Sequence, residues 1–376
     1  MRVAQVQAPH STSGALFAPL QAIQPHLALV FGAVDPLGRP ELLDQLKAQL
    51  PGTILAGCST AGEITAEGVS DDTVVVTGIH FDHPALRFAS APLQGMGSSY
   101  GAGQSLGQQL RGEGLHHILV FGQGVEINGS ALIDGIRDDA GAGVTICGGL
   151  AGDGGAFRRT LTFSEAGAAA DRVVAIGFYD PRTRITHGSF GGWQPFGPTR
   201  RVTKVSHNVL YELDGQPALD VYKRYLGEYA KQLPSSGLLF PFSIVDGPAA
   251  GLIRTILSVD EAQGSLTLAG DVPLDGSLQL MHASTDSLID GAHTAAIRAQ
   301  EAGADPSGLA LLVSCVGRRL VMGARVDEEV EAVAEVLAQD RVIAGFYSYG
   351  EISPLLSSTN CQLHNQTMTV THIQEG

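Results

Sequence analysis

Apolar and polar positions follow the same order three times along the chain. The apolar run HLALVFGAV (26–34) is followed by ELLDQLKAQL (41–50), where apolar residues recur at helical spacing, and then by TILAGC leading into the turn STAGEI (59–64). HHILVFGQGV (116–125) opens a second copy, with a helix expected over about 130–139, capped by Asn128 or Ser130, then VTICGG and LAGDGG (150–155). LALLVSCVG (309–317) opens a third, followed by DEEVEAVAEVLAQ (327–339) with its acidic first turn, then RVIAGF and YSYGEI (347–352). A further strand with β-branched alternation follows each copy: TVVVTGIHF (73–81), RVVAIGFYD (172–180) and TMTVTHI (367–373). The pattern predicts an α/β protein built from duplicated strand–helix–strand units with mixed sheets.

The turn-rich stretch 181–217 separates the second and third copies. After it come an amphipathic helix expected over 218–233 and a hairpin over 255–270. Two domains are therefore expected, 1–190 and 191–376, with the third unit inside the second. The blocks GCSTAGEI (57–64) and GFYSYGEI (345–352) share Gly, Gly, Glu and Ile in register, and Ala-Gly-Asp at 151–153 is the related middle copy.

Composition narrows the class. Apolar residues make up 44% and charged ones 16%, against about 25% charged in an average soluble protein, which excludes disorder; 48 glycines exclude a coiled coil. The longest apolar runs have eight residues, well below the roughly 18 that span a bilayer, so no membrane insertion is expected. The start lacks the apolar core of a signal peptide, and a cytoplasmic location is expected. Four scattered cysteines without a CxxC pair argue against structural zinc and a disulfide framework. A net charge of −15 offers nothing to a phosphate backbone, so nucleic acid is excluded as a partner.

Three kinds of chemistry can be read from the residues. The glycine turns present backbone N–H groups and hydroxyls to a small carboxylate or phosphate: Ser59, Thr60, Gly62 and Glu63 in the first block, Tyr347 and Glu351 in the third. Arg318 is a natural bidentate partner for a ligand carboxylate. The plainer reading is that these glycines permit tight turns and the glutamates pair internally. An elbow nucleophile at Cys58 or Ser59 would make a hydrolase, but Ala61 stands where GxSxG needs glycine. The pairs His80/His83 and His116/His117 have no convincing chelate spacing, so no dedicated metal-ion site is expected from them.

GCSTAGEI, NVLYELDGQPALDVYKRYLG (208–227), SCVGR (314–318), GFYSYGEISP (345–354) and LHNQT (363–367) together resemble the FIST family of bacterial sensory domains, N-terminal and C-terminal parts included. The resemblance implies a non-enzymatic sensor in signal transduction, with small molecules such as amino acids as family ligands. Stand-alone members of this length, and the stretch HGSFGGWQPFGP (187–198), resemble the nitric-oxide-sensing haem proteins that control a histidine kinase or cyclic-di-GMP enzyme. A non-covalent haem would need an axial histidine, aromatic walls and cations for the propionates. His187 is the expected iron ligand, with Phe190, Trp193 and Phe196 as walls and Arg200 and Arg201 beyond them; His293 is next in line, and His364 is expected to be structural. The plainer reading of those aromatics is that they plug an interdomain seam. A carboxylated metabolite at the turns, or a hydrolase, are the alternatives to haem.

Overall fold

The computed structural model describes residues 1–9, 14–141, 143–301, 308–337, 341–354 and 361–376. The expected α/β class is found, and the three units share one sheet order. In the first, the parallel strands Leu27–Gly32 and Ile54–Ser59 flank the helix Pro40–Gln49 in sequence. Thr73–His80 runs antiparallel to Leu27–Gly32, and Arg2–Pro9 forms the edge. His117–Gly122, Thr145–Leu150, Arg172–Phe178 and Leu86–Pro92 repeat that order in the second, and Leu309–Cys315, Val342–Ser348, Met368–Glu375 and Thr183–Phe190 in the third. The opening parallel strands are buried at every position in all three units, which is why they read as uninterrupted apolar runs.

A cyclic exchange of hairpins joins the units. The hairpin Glu63–Thr65/Gly68–Ser70 of the first unit pairs with Val342–Ser348 of the third. Thr162–Ser164/Gly167–Ala169 of the second pairs with Ile54–Ser59 of the first, and Gly350–Pro354/Cys361–His364 of the third pairs with Thr145–Leu150 of the second. Each sheet so gains two strands and reaches six. Their inner faces enclose a common core in which Phe31, Phe121 and Phe346, one per unit, meet with ring centroids 5.5, 4.7 and 6.1 Å apart. Helices cover the outer faces, Leu42 and Leu46 on the first unit and Leu106, Ile133 and Ile136 on the second.

Gly57, Gly148 and Gly345 occupy one equivalent position in the closing parallel strands. A methyl group on any of them would overlap the carbonyl oxygen of its cross-strand partner, Val30, Val120 or Leu312. Glycine there lets the two strands approach.

Between the edge strand Thr183–Phe190 and the helix Thr285–Glu301, the third unit carries an inserted body. Its eight-stranded antiparallel sheet includes Gln194–Ser206 and Ser277–His282, and its core is built around Val202, Leu210, Tyr222 and Leu278. The expected helix over 218–233 is α-helical only over Ala218–Leu226; Gly227, at φ 55°, turns the chain into the 3-10 segment Gly227–Gln232. The expected hairpin is present as Ile256–Asp260 and Ser265–Leu268. The expected division at 190/191 falls at the entry to this body, while the third unit packs its sheet against the same core as the first two.

Candidate functional site

The three glycine turns meet where the closing parallel strands end. Ala61 N–H donates to Tyr347 O at 2.8 Å, Gly152 N–H to Ser59 O at 2.9 Å, and Tyr349 N–H to Leu150 O at 3.1 Å, a closed ring of backbone hydrogen bonds in which every unit gives one and takes one. The ring makes 59, 150 and 347 equivalent, so Glu63 and Glu351 match each other and Gly154 is their counterpart. Asp153 stands one residue earlier than these glutamates. It accepts N–H bonds from Phe157, Arg158 and Arg159, and the Tyr349 hydroxyl, so it organises its own loop.

Most of the residues expected to greet a ligand here have partners within the protein. Glu63 has no exposed surface and accepts the hydroxyls of Thr60 and Thr73 and the Thr73 N–H. Glu351 repeats the arrangement with the Ser348 hydroxyl and the hydroxyl and N–H of Thr367. Burial raises both carboxyls, Glu63 to about 7 and Glu351 to about 8, against the pull of those donors. Arg318 is fully buried, and the carboxylate it meets is the protein's own: its guanidinium pairs with Glu329 at 2.6 Å and donates to Gly191 O and Leu288 O. Tyr347 is equally buried and donates its hydroxyl to Glu329 at 2.6 Å. Thr60, Gly62 and Glu63 back a cleft of about 490 Å³ whose rim is Asp35, Asp72 and Arg158. The elbow position offers no nucleophile to solvent. Cys58 and Ser59 are fully buried, burial pushes the Cys58 thiol well up, and the Ser59 hydroxyl donates to Gly152 O at 2.7 Å.

The six residues expected around haem do not converge. Strand alternation places His187 and Phe190, three residues apart, on opposite faces of Thr183–Phe190. His187 turns inward, stacked on His117 at 5.1 Å, with Nδ1 3.3 Å from the Thr371 hydroxyl and Nε2 buried without a hydrogen bond among the described residues. Burial lowers it to about 4. Phe196 is exposed and touches His282 edge-on, Arg200 pairs with Asp214 at 3.0 Å, and Arg201 pairs with Asp275 at 2.9 Å on the inserted body. The residues present therefore do not fit a haem at His187.

Phe190 and Trp193 do meet, at a pocket of about 310 Å³ in the seam between the third unit and the inserted body. Ile253 and Met281 close it from the inserted side, and Arg298 and His364 supply polar groups from the third unit. The Trp193 indole is fixed by an Nε1–H bond to Gln366 O at 2.8 Å. Arg298 lies 4.5 Å above the Phe190 ring and donates Nη1 to Ser189 O at 2.8 Å. His364 Nε2 is 3.0 Å from Ser353 O, so this nitrogen carries the proton; burial lowers the imidazole to about 4 and leaves Nδ1 as a bare acceptor. The expectation that these aromatics plug a seam is thus met by two of the three. Arg298 and His364 were not expected at a site. Arg298 lies on Thr285–Glu301, a helix whose small residues give little apolar pattern, and the LHNQT motif suggested structure for His364.

Two family models match the chain, and they meet within the inserted body. The FIST N domain model matches residues 26–216 and the FIST C domain model residues 218–354. An uncharacterized protein of Methanocaldococcus jannaschii is 33% identical over 88 residues, a match that spans 23% of this chain and 17% of that protein. A cyanuric acid hydrolase from A. caulinodans aligns over 100% of this chain and 98% of its own at a TM-score of 0.37 and 10% identity. With both of its domains matched in order, the chain belongs to the FIST family.

Proposed function

We propose that this FIST protein is a non-catalytic sensor acting in the cytoplasm, that its small ligand sits in the seam pocket, and that occupancy changes how the inserted body and the third unit are presented to a protein partner. FIST domains are sensory domains of signal transduction, and a histidine kinase or cyclic-di-GMP enzyme is the partner class this reading carries forward. One observation bears most of the weight. The seam pocket joins aromatic walls to a guanidinium and a bare imidazole nitrogen between two separately built bodies, the kind of place where small-molecule sites form and where binding energy can shift a relative orientation. Its volume of about 310 Å³ is at the lower end of the roughly 300 to 1,000 Å³ typical of such sites and suits a small metabolite. Nitric oxide sensing through haem at His187 is not part of this reading, because His187 faces the core and the other expected residues lie elsewhere.

Trp193 is the only tryptophan in the chain, so indole emission reports on this pocket alone. Screening small metabolites should yield a saturable change in Trp193 emission that is lost in Ala250→Phe, which fills the pocket from an exposed turn. A ligand that binds the wild type and Ala250→Phe equally would refute the placement.

A further inference from the structure

We infer that the seam pocket takes a small monocarboxylate with a flat apolar body and a hydrogen-bond donor, its carboxylate on Arg298 and its donor on His364. The inference rests on the seam pocket being the ligand site and adds the class of ligand.

Charge sets the first part. The lining holds one cation and no acidic residue, in a chain whose 38 acidic side chains outnumber its 23 basic ones. Arg298 makes no ion pair among the described residues. Its guanidinium donates once to Ser189 O and stacks on Phe190, and five N–H groups leave others for a ligand. One guanidinium matches a single carboxylate, whereas a phosphate dianion would leave charge unbalanced in a half-closed apolar site.

The imidazole sets the second. His364 is 3% exposed, its Nε2–H is committed to Ser353 O, and no bond to Nδ1 is made among the described residues. A neutral acceptor there repels a second anionic oxygen and favours an O–H or N–H. Phe190, Trp193, Ile253 and Met281 supply the apolar lining beside these two polar groups, so the body of the ligand is apolar and flat enough to lie on an aromatic face. A volume of about 310 Å³ limits it to a ring or two.

The test uses Trp193 emission with three probes: 4-hydroxybenzoate, its uncharged amide 4-hydroxybenzamide, and benzoate, which lacks the donor. The full chain should bind 4-hydroxybenzoate at least tenfold tighter than either of the others. Arg298→Gln should weaken it about thirtyfold or more, as expected for loss of a partly desolvated charge pair, while Arg298→Lys recovers part of the loss. His364→Leu should abolish the preference for 4-hydroxybenzoate over benzoate. Circular dichroism of each variant separates loss of binding from loss of fold. If the amide binds as well as the acid and Ala250→Phe blocks both, the ligand class is wrong and the seam reading stands. If binding persists in Ala250→Phe, the seam reading itself fails. Absence of saturable quenching by all three probes also overturns the ligand class.

Discussion

Arg318 and Glu329 form an ion pair with neither side chain exposed, and the same guanidinium holds Gly191 O at the entry to the inserted body and Leu288 O on the helix after its exit. The pair is a clasp for the two chain crossings. Removing one member leaves the other charge buried and unmatched, at a cost of about 3 to 5 kcal/mol. Arg318→Ala and Glu329→Ala should each lower the unfolding free energy from urea titration by that order, and an Arg318→Met/Glu329→Leu double variant should lose less than either alone.

The equivalent glycines make a second prediction. Gly57→Ala, Gly148→Ala and Gly345→Ala each force a methyl into a neighbouring strand's carbonyl, where overpacking costs about 1 to 3 kcal/mol and occasionally more. Gly57→Ala and Gly345→Ala should lose similar amounts in equilibrium unfolding, and Gly148→Ala more, since Gly148 also sits at φ 132°, where a side chain is strained. A benign Gly148→Ala would count against this close strand approach.

The repeated glutamates predict a pH dependence. Glu63 and Glu351 titrate at about 7 and about 8 in the folded chain, above the ordinary value of 4.5, so the folded state binds their protons more tightly than the unfolded one. Their contribution is full below about 4.5 and is lost as pH rises through 7 to 8. His187 and His364, lowered to about 4 from 6.5, act in the opposite sense, adding stability as pH rises from 4 to 6.5. Stability should therefore fall between pH 6.5 and 8, where the glutamates act without that offset. Glu351→Gln should flatten this fall; an unchanged slope would mean Glu351 does not titrate there.

Much of the fold could be read before the structure, because strands buried on both faces show as continuous apolar runs and each was followed by a helix and a glycine turn. The hairpin exchange could not. Glu63–Thr65 is three residues long, and its partner Phe346 lies far along the chain. The turns were legible as turns, but the partners of their acids were not: Glu63 is met by Thr60 and Thr73, and Glu351 by Ser348 and Thr367. Thr73 and Thr367 reach these acids from outside the turns, and only the folded units bring them there. The separation of His187 from Phe190 was legible in principle, since an odd spacing along a strand puts two side chains on opposite faces. Arg298 and His364 stand on separate elements of the third unit, and only the folded chain puts them at one pocket.

A further prediction concerns the elbow. Cys58→Ala and Ser59→Ala should abolish no turnover, since neither side chain reaches solvent. Ser59→Ala should instead cost about 1 to 3 kcal/mol, because the Ser59 hydroxyl also receives the Leu161 N–H and its loss strands both partners. Calorimetric unfolding measures this, and a specific activity lost with either variant would support the hydrolase alternative.

The most direct measurement is backbone hydrogen exchange, followed by mass spectrometry, with and without 4-hydroxybenzoate at a concentration that saturates the Trp193 signal. The account predicts added protection at 189–193, 250–253 and 364–367, on both sides of the seam, and no change at 59–63. Protection at 59–63 with none at the seam would contradict it and return the ligand to the cleft in front of Thr60 and Glu63.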